Sequence, residues 1–226
     1  RASNQQMPPA PAQGQASPGH GHAPLTIVAG NIGAGKSTAS AALARELGLR
    51  LLPEPFEENP HLDDYYRDPV AFGYRTQRWF IETELARQPG IAARRGVVQD
   101  RAIYEKAEVF VPVMAERGEL SPAEVGELTR LYERSIARVP DPDLLVYVGA
   151  GEPDAVRHLA ARGRAAERGI GLDYLAALER AYERFSTSWA RSPVVRLDAL
   201  RHDPRDPDAV RHLAARVRAA LGAPAR

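Results

Sequence analysis

The sequence contains no cysteine. That excludes disulfides, thiolate catalysis and cysteine-ligated zinc, and it fits a reducing compartment such as the cytoplasm. Long apolar runs are also missing: no stretch approaches the ~18 consecutive apolar residues that a membrane-spanning helix requires. Charge of one sign is not in excess, because 30 basic and 29 acidic residues leave a formal net charge of +1. A broad basic field able to hold a nucleic acid polymer is therefore not expected, and any bound anion should be small and locally contacted. Lysine is scarce: only Lys36 and Lys106 occur, and every other basic residue is arginine. In such a chain a lysine inside a glycine loop stands out.

What is present reads as one α/β domain. With 226 residues, 44% apolar and 26% charged, the chain can bury one sizeable core. Residues 1–24 are Pro, Gln, Ala, Gly and His with hardly a large apolar side chain, so a disordered tail is expected there, followed by a folded domain over 25–222. The tail lacks a charged start followed by an apolar core, and does not read as a secretory leader. From Leu25 on, short aliphatic runs alternate with helical patterns, which predicts a parallel sheet covered by helices. Expected strands are Leu25 to Ala29, Arg50 to Pro53, Gly96 to Gln99, Leu144 to Val148 and Val194 to Leu197. Helices are expected from Gly35 to Leu47, Pro69 to Ala93, Arg101 to Arg117, Pro122 to Arg138, Pro153 to Ala161 and Pro207 to Leu221. A further helix carries Leu172, Leu175, Leu178, Tyr182, Phe185 and Trp189 at steps of three or four. Ser121 before Pro122, with Glu124 three residues on, predicts a capping box.

Directly after the first strand, Gly30-Asn31-Ile32-Gly33-Ala34-Gly35-Lys36-Ser37 matches G-x-x-x-x-G-K-[ST] in full, with Thr38 following. Glycines let consecutive N–H groups turn inward on a phosphate, and the positive end of the next helix adds to the attraction. Lys36 is expected on the β- and γ-phosphates of ATP or another nucleoside triphosphate, and the Ser37 hydroxyl on Mg²⁺. The expected fold is therefore a three-layer P-loop arrangement, with five parallel strands between helices and a lid segment. Glu54 ends the second strand, and Asp100-Arg101 follows the third, at the edge where open α/β sheets bind ligands. A carboxylate there can take a proton from a hydroxyl, Asp100 can hold Mg²⁺, and Arg101 can stabilise a moving phosphoryl group. An ordinary ion pair is the alternative for each.

Together, GNIGAGKST, Glu54-Pro55, Tyr66-x-x-Pro69 followed by Gln77, Asp100-Arg101, and Arg162-Gly163-Arg164-Ala165-Ala166-Glu167 followed by Leu172-Asp173-Tyr174-Leu175 resemble the deoxynucleoside kinases, most of all the bacterial deoxyadenosine and deoxyguanosine kinases. The resemblance implies that Glu54 is the general base for a 5′-hydroxyl with Arg101 beside it, and that Tyr66 and Glu167 hold the 3′-hydroxyl. It further implies that Gln77 bonds the base edge, that Phe110 stacks on the base, and that Arg162 and Arg164 belong to a lid over the triphosphate. A purine deoxynucleoside acceptor and a homodimer are implied as well, and the helices at 69–93 and 122–138 are long and apolar enough to form a dimer interface. Without the resemblance, Arg157 to Arg168 reads as a basic helix end and loop.

Departures from the family pattern are informative. Ala102 stands where a serine is usual, His158 where many relatives have arginine, and Asn59 where the animal enzymes carry tryptophan. Purine-accepting relatives commonly place an arginine seven residues after the glutamine and an aspartate six after the acid of the third strand. This chain has Glu84 and Lys106 there, and two outcomes are open: the two pair with reversed charge, or they are two solvated charges on neighbouring helices. Two rival functions are open at this level. A nucleoside monophosphate kinase would need cations for an acceptor phosphate where Glu54 stands, and a nucleotide-binding accessory protein would keep the fold without turnover.

Overall fold

The structure is a computed structural model of the chain, and it describes residues 23–93, 96–149, 170–198 and 203–222. In chain order the elements are β1 (Leu25–Gly30), α1 (Lys36–Leu47), β2 (Arg50–Leu52), α2 (Leu62–Arg67), α3 (Pro69–Ala93) and β3 (Val97–Asp100). After β3 come α4 (Ile103–Glu105), a π-helical segment (Lys106–Phe110), α5 (Val111–Glu116), α6 (Pro122–Ile136), β4 (Leu144–Gly149), α7 (Leu172–Ser188), β5 (Val194–Asp198) and α8 (Pro207–Gly222). The expected helix at Pro153 to Ala161 lies outside the described residues, as does the expected tail up to residue 22.

All five strands are parallel, in the order β2-β3-β1-β4-β5. Alternation along the strands feeds two cores, one on each face. Ile27 and Ala29 of β1, with Leu145 and Tyr147 of β4, pack toward Phe80, Tyr104, Leu178 and Tyr182. Val28, Val146 and Val148 pack toward Leu43 of α1 and Leu213 and Val217 of α8. The chain thus forms a helix–sheet–helix sandwich, as expected from the alternating pattern. Its register sets Val28 beside Asp100, which brings the end of β3 next to the loop that leaves β1. That reversal in strand order is where such sheets open a ligand crevice.

One expected element is broken up. Instead of a continuous helix from Arg101 to Arg117, the chain bends at Arg101, starts α4 at Ile103 and widens into the π segment. Arg101 takes a positive φ of 59°, a conformation that costs a non-glycine residue energy and clusters at functional sites. The widening is caused by Pro112: it has no N–H to give, and its ring crowds the carbonyl four residues back. Just before it, the Val111 N–H reaches back five residues to the Lys106 carbonyl, the hallmark of a π turn. The short helix α2 was not anticipated. The capping box at α6 was, and Ser121 and Glu124 exchange the two expected bonds.

Candidate active site

Gly30 must be glycine, because a Cβ there would lie 2.5 Å from the Val148 carbonyl oxygen. Gly35 enters α1 at φ 84°, the left-handed conformation that lets the loop curl onto the helix N-terminus. Asn31 ties the loop to α7, its amide donating to the Leu175 carbonyl at 3.0 Å and to Glu179 at 2.8 Å. The Lys36 ammonium sits at the loop mouth, 2.8 Å from Asp100 and 3.8 Å from Glu54.

Glu54 leaves the segment after β2 and points into the same cavity as Lys36 and Ser37. Arg101 donates to its Oε1 at 3.1 Å and to the Gly30 carbonyl at 3.0 Å, and Lys106 also donates to Oε1. Burial pushes the Glu54 carboxyl up, but Arg101, Lys106 and Lys36 outweigh it and hold the group well below the usual carboxylate range. Burial likewise acts to lower Arg101, and Glu54 reverses that. Arg101 is braced from behind by Glu105, which also accepts from Tyr182 at 2.9 Å and from the Ala102 N–H at 2.9 Å.

The cavity has a volume of about 410 Å³, enough for a nucleoside-sized molecule. Tyr66, Gln77 and Phe110 line it, as the resemblance implied. Phe110 lies with its ring 4.8 Å from the Arg101 guanidinium carbon. The amide oxygen of Gln77 is buried without a partner. Arg162, Arg164, Glu167 and His158 lie outside the described residues. Phe80 also lines the cavity. The sequence pattern did not single it out, although its spacing of three from Gln77 sets both on one face of α3.

The Glu84–Lys106 pair is not formed. Glu84 accepts from Arg87 at 3.0 Å and from Gln99 at 2.8 Å, whereas Lys106 turns to Glu54 and rests 4.0 Å from the Phe80 ring centre. Neither is solvated, since Glu84 is 0% and Lys106 1% exposed. The reason is supply: Arg87, one turn along α3, is nearer to hand for Glu84, and the unprotected carboxylate at the cavity rim claims the lysine.

A model of the family described as deoxynucleoside kinase matches residues 26–219. The chain belongs to that family. It is a deoxynucleoside kinase, an ATP-dependent phosphotransferase. Similarity to the deoxyadenosine/deoxycytidine kinase of Bacillus subtilis is 30% identity over 176 residues, covering 76% of this chain and 81% of that one. A deoxyguanosine kinase from Lactobacillus acidophilus is 29% identical over 198 residues, 84% of this chain and 86% of that one. Among solved structures, deoxyadenosine kinase from M. mycoides with bound dATP superposes with a TM-score of 0.76 at 23% identity, over 87% of this kinase and 99% of that chain. That superposition speaks for the α/β fold with five parallel strands.

Proposed function

We propose that this kinase takes a purine deoxynucleoside as acceptor and forms its 5′-monophosphate, with ATP as donor. The observation that carries the reading is the Gln77 amide oxygen, buried in the cavity wall without a partner. A buried acceptor of this kind is costly unless a ligand supplies the donor, and a planar base edge offers donor and acceptor side by side. The phenyl ring of Phe110 in the same wall suits stacking on a base. A relative named for deoxyguanosine and one named for deoxyadenosine support the purine, although the second is named for deoxycytidine too.

In this reading the 5′-hydroxyl lies against Glu54 and the triphosphate against the loop amides and Lys36. Glu54 is ionised throughout the physiological range and is a weak base, which suffices where the transition state is loose and the nucleophile gives up its proton late. When Lys36 turns from Asp100 and Glu54 to the phosphates, the carboxylate loses one counter-charge and gains proton affinity. Arg101 stands by to stabilise the equatorial oxygens. Magnesium suits the donors at hand, because it binds through one or two protein oxygens together with phosphates and waters. Ser37 and Asp100 line the cavity beside Lys36. When bound, the ion neutralises charge on the phosphate oxygens.

A monophosphate acceptor is disfavoured by the same geometry, since Arg101 and Lys106 are paired with Glu54, whose own charge repels an acceptor phosphate. A homodimer through α3 and α6 belongs to this proposal, with Tyr74, Arg78, Leu131 and Arg134 in the groove between them. The test is a steady-state comparison of deoxyadenosine, deoxyguanosine, deoxycytidine and thymidine. Higher kcat/KM for the two purines is expected, and a pyrimidine in first place would overturn the purine assignment.

A further inference from the structure

The second lysine of the chain occupies an unusual position. Lys106 opens the π segment whose last residue is Phe110, and both side chains line the cavity. Its ammonium carries three N–H donors, yet among the described residues Glu54 is its one hydrogen-bond acceptor. The rest of its surroundings are apolar: the Phe80 ring centre is 4.0 Å away and that of Phe110 5.4 Å. Aromatic faces attract a cation but do not satisfy its N–H groups as an oxygen would. Glu84, which could have supplied that oxygen, does not line the cavity and is occupied by Arg87 and Gln99. Beside the catalytic carboxylate and the stacking ring the cavity therefore presents a fixed donor whose one bonded carboxylate is Glu54, although Glu57, Glu58 and Asp100 line the cavity as well.

We propose that Lys106 is a specificity-determining residue, which selects bases carrying a carbonyl oxygen, rather than an exocyclic amine, on the edge that faces it. This rests on the deoxynucleoside assigned above to the cavity. A guanine or hypoxanthine O6, with the neighbouring N7, offers acceptors to the idle N–H groups. Adenine keeps N7, but its 6-amino group sets donor against donor and leaves an N–H of the buried ammonium unmatched. The same logic ranks thymine, with its 4-oxo group, above cytosine, with its 4-amino group. The names of the relatives do not decide this, as they include acceptors of both kinds. Discrimination of this type, in which a buried charged donor is matched or left unmatched, is worth roughly tenfold to a hundredfold in kcat/KM.

The experiment measures kcat/KM for deoxyinosine against deoxyadenosine and for thymidine against deoxycytidine, in the parent, Lys106→Met and Lys106→Gln. Deoxyinosine carries no 2-amino group, so the first ratio reads the 6-position together with the N1 proton that accompanies the oxo group, and the Lys106 variants separate the two. Losing a counter-charge from Glu54 lowers turnover on every acceptor, but that common loss cancels in each ratio. The expected result is a preference of about tenfold or more for the oxo member in the parent, shrinking to within about threefold of unity in both variants. A parent that prefers the amino member overturns the proposal, and so does a preference that survives in a folded variant. Should neither variant fold, the parent ratio alone still decides the sign. Thymidine outrunning deoxyinosine would defeat the purine assignment while leaving the oxo-to-amino ratio to be read independently.

Discussion

Two carboxylates buried beside the same lysine come to different charge states. Glu54 has three cations around it, Lys36, Arg101 and Lys106, and is held ionised in spite of its burial. Glu84 has a single ion-pair partner, Arg87, and an amide, Gln99. There burial prevails over Arg87 and Lys106, and the carboxyl is pushed up to about 7. Desolvation acts on both: three cations outweigh it at Glu54, whereas at Glu84 the charge on Glu54 adds to it. The group at the cavity rim is thereby held as a carboxylate, and the group behind the wall is raised to about 7.

The largest effect is expected at Glu54. Glu54→Gln keeps the shape and removes the charge, and kcat should fall by about 10²- to 10⁴-fold. The change also leaves Lys106 without its bonded carboxylate and Arg101 with Glu105 alone in a buried site, so the melting temperature falls as well. Nucleotide binding separates the two consequences. The increase in melting temperature on adding ATP should survive, because the loop amides and Lys36 are untouched. Turnover within tenfold of the parent would remove Glu54 from the reaction. The depressed carboxyl also has a pH signature. Its contribution to stability is full above the free value of 4.5 and is lost only as pH falls toward its lower folded value. An acid limb in kcat/KM between pH 5 and 8 therefore belongs to another group.

A smaller effect tests what holds those cations in place. Arg101 is anchored on the Gly30 carbonyl as well as on Glu54, so the rim carboxylate depends on the loop backbone. Gly30→Ala drives a methyl group against the Val148 carbonyl. The strands must then part, at a cost of about 1–3 kcal/mol. Chemical denaturation should register that loss, and KM for ATP should rise with it. A variant as stable as the parent would mean that β1 and β4 yield easily, and that Arg101 is positioned by Glu54 and Glu105 without the Gly30 carbonyl.

The two carboxylates also differ in how far the sequence discloses them. Lys36, Ser37 and the glycines lie in one continuous motif, and the loop needs only local geometry to form. Glu54 and Arg101 could be assigned to one rim because strand ends in a parallel sheet share an edge. The partner of Lys106 was not legible, because it depends on the direction in which a side chain leaves a helix. A continuous helix from Arg101 was expected, but the left-handed bend at Arg101 and the π turn before Pro112 turn the side chains between them to new directions. Pro112 was the available signal for that break. Phe80 and the unpaired Gln77 oxygen need the assembled cavity, where α3 and the segment after β3 meet.

The smallest effect concerns Glu84, and its sign is the informative part. A carboxyl raised from 4.5 to about 7 on folding binds its proton more tightly in the folded state. Stability therefore declines as pH rises through that interval and levels off above it. Taken alone the interval corresponds to roughly 3 kcal/mol, but the ionised form keeps its bond to Arg87, which a neutral replacement gives up in part. Glu84→Gln should thus gain only about 1 kcal/mol at pH 8 and nothing at pH 5. The measurement is the melting temperature of parent and variant at intervals from pH 5 to 8. The two proteins differ only at this position, so the difference between the curves isolates Glu84. Converging curves at low pH and a variant above the parent at high pH are expected. Parallel curves would mean that Glu84 stays charged as Glu54 does, and that one arginine offsets burial as well as three cations.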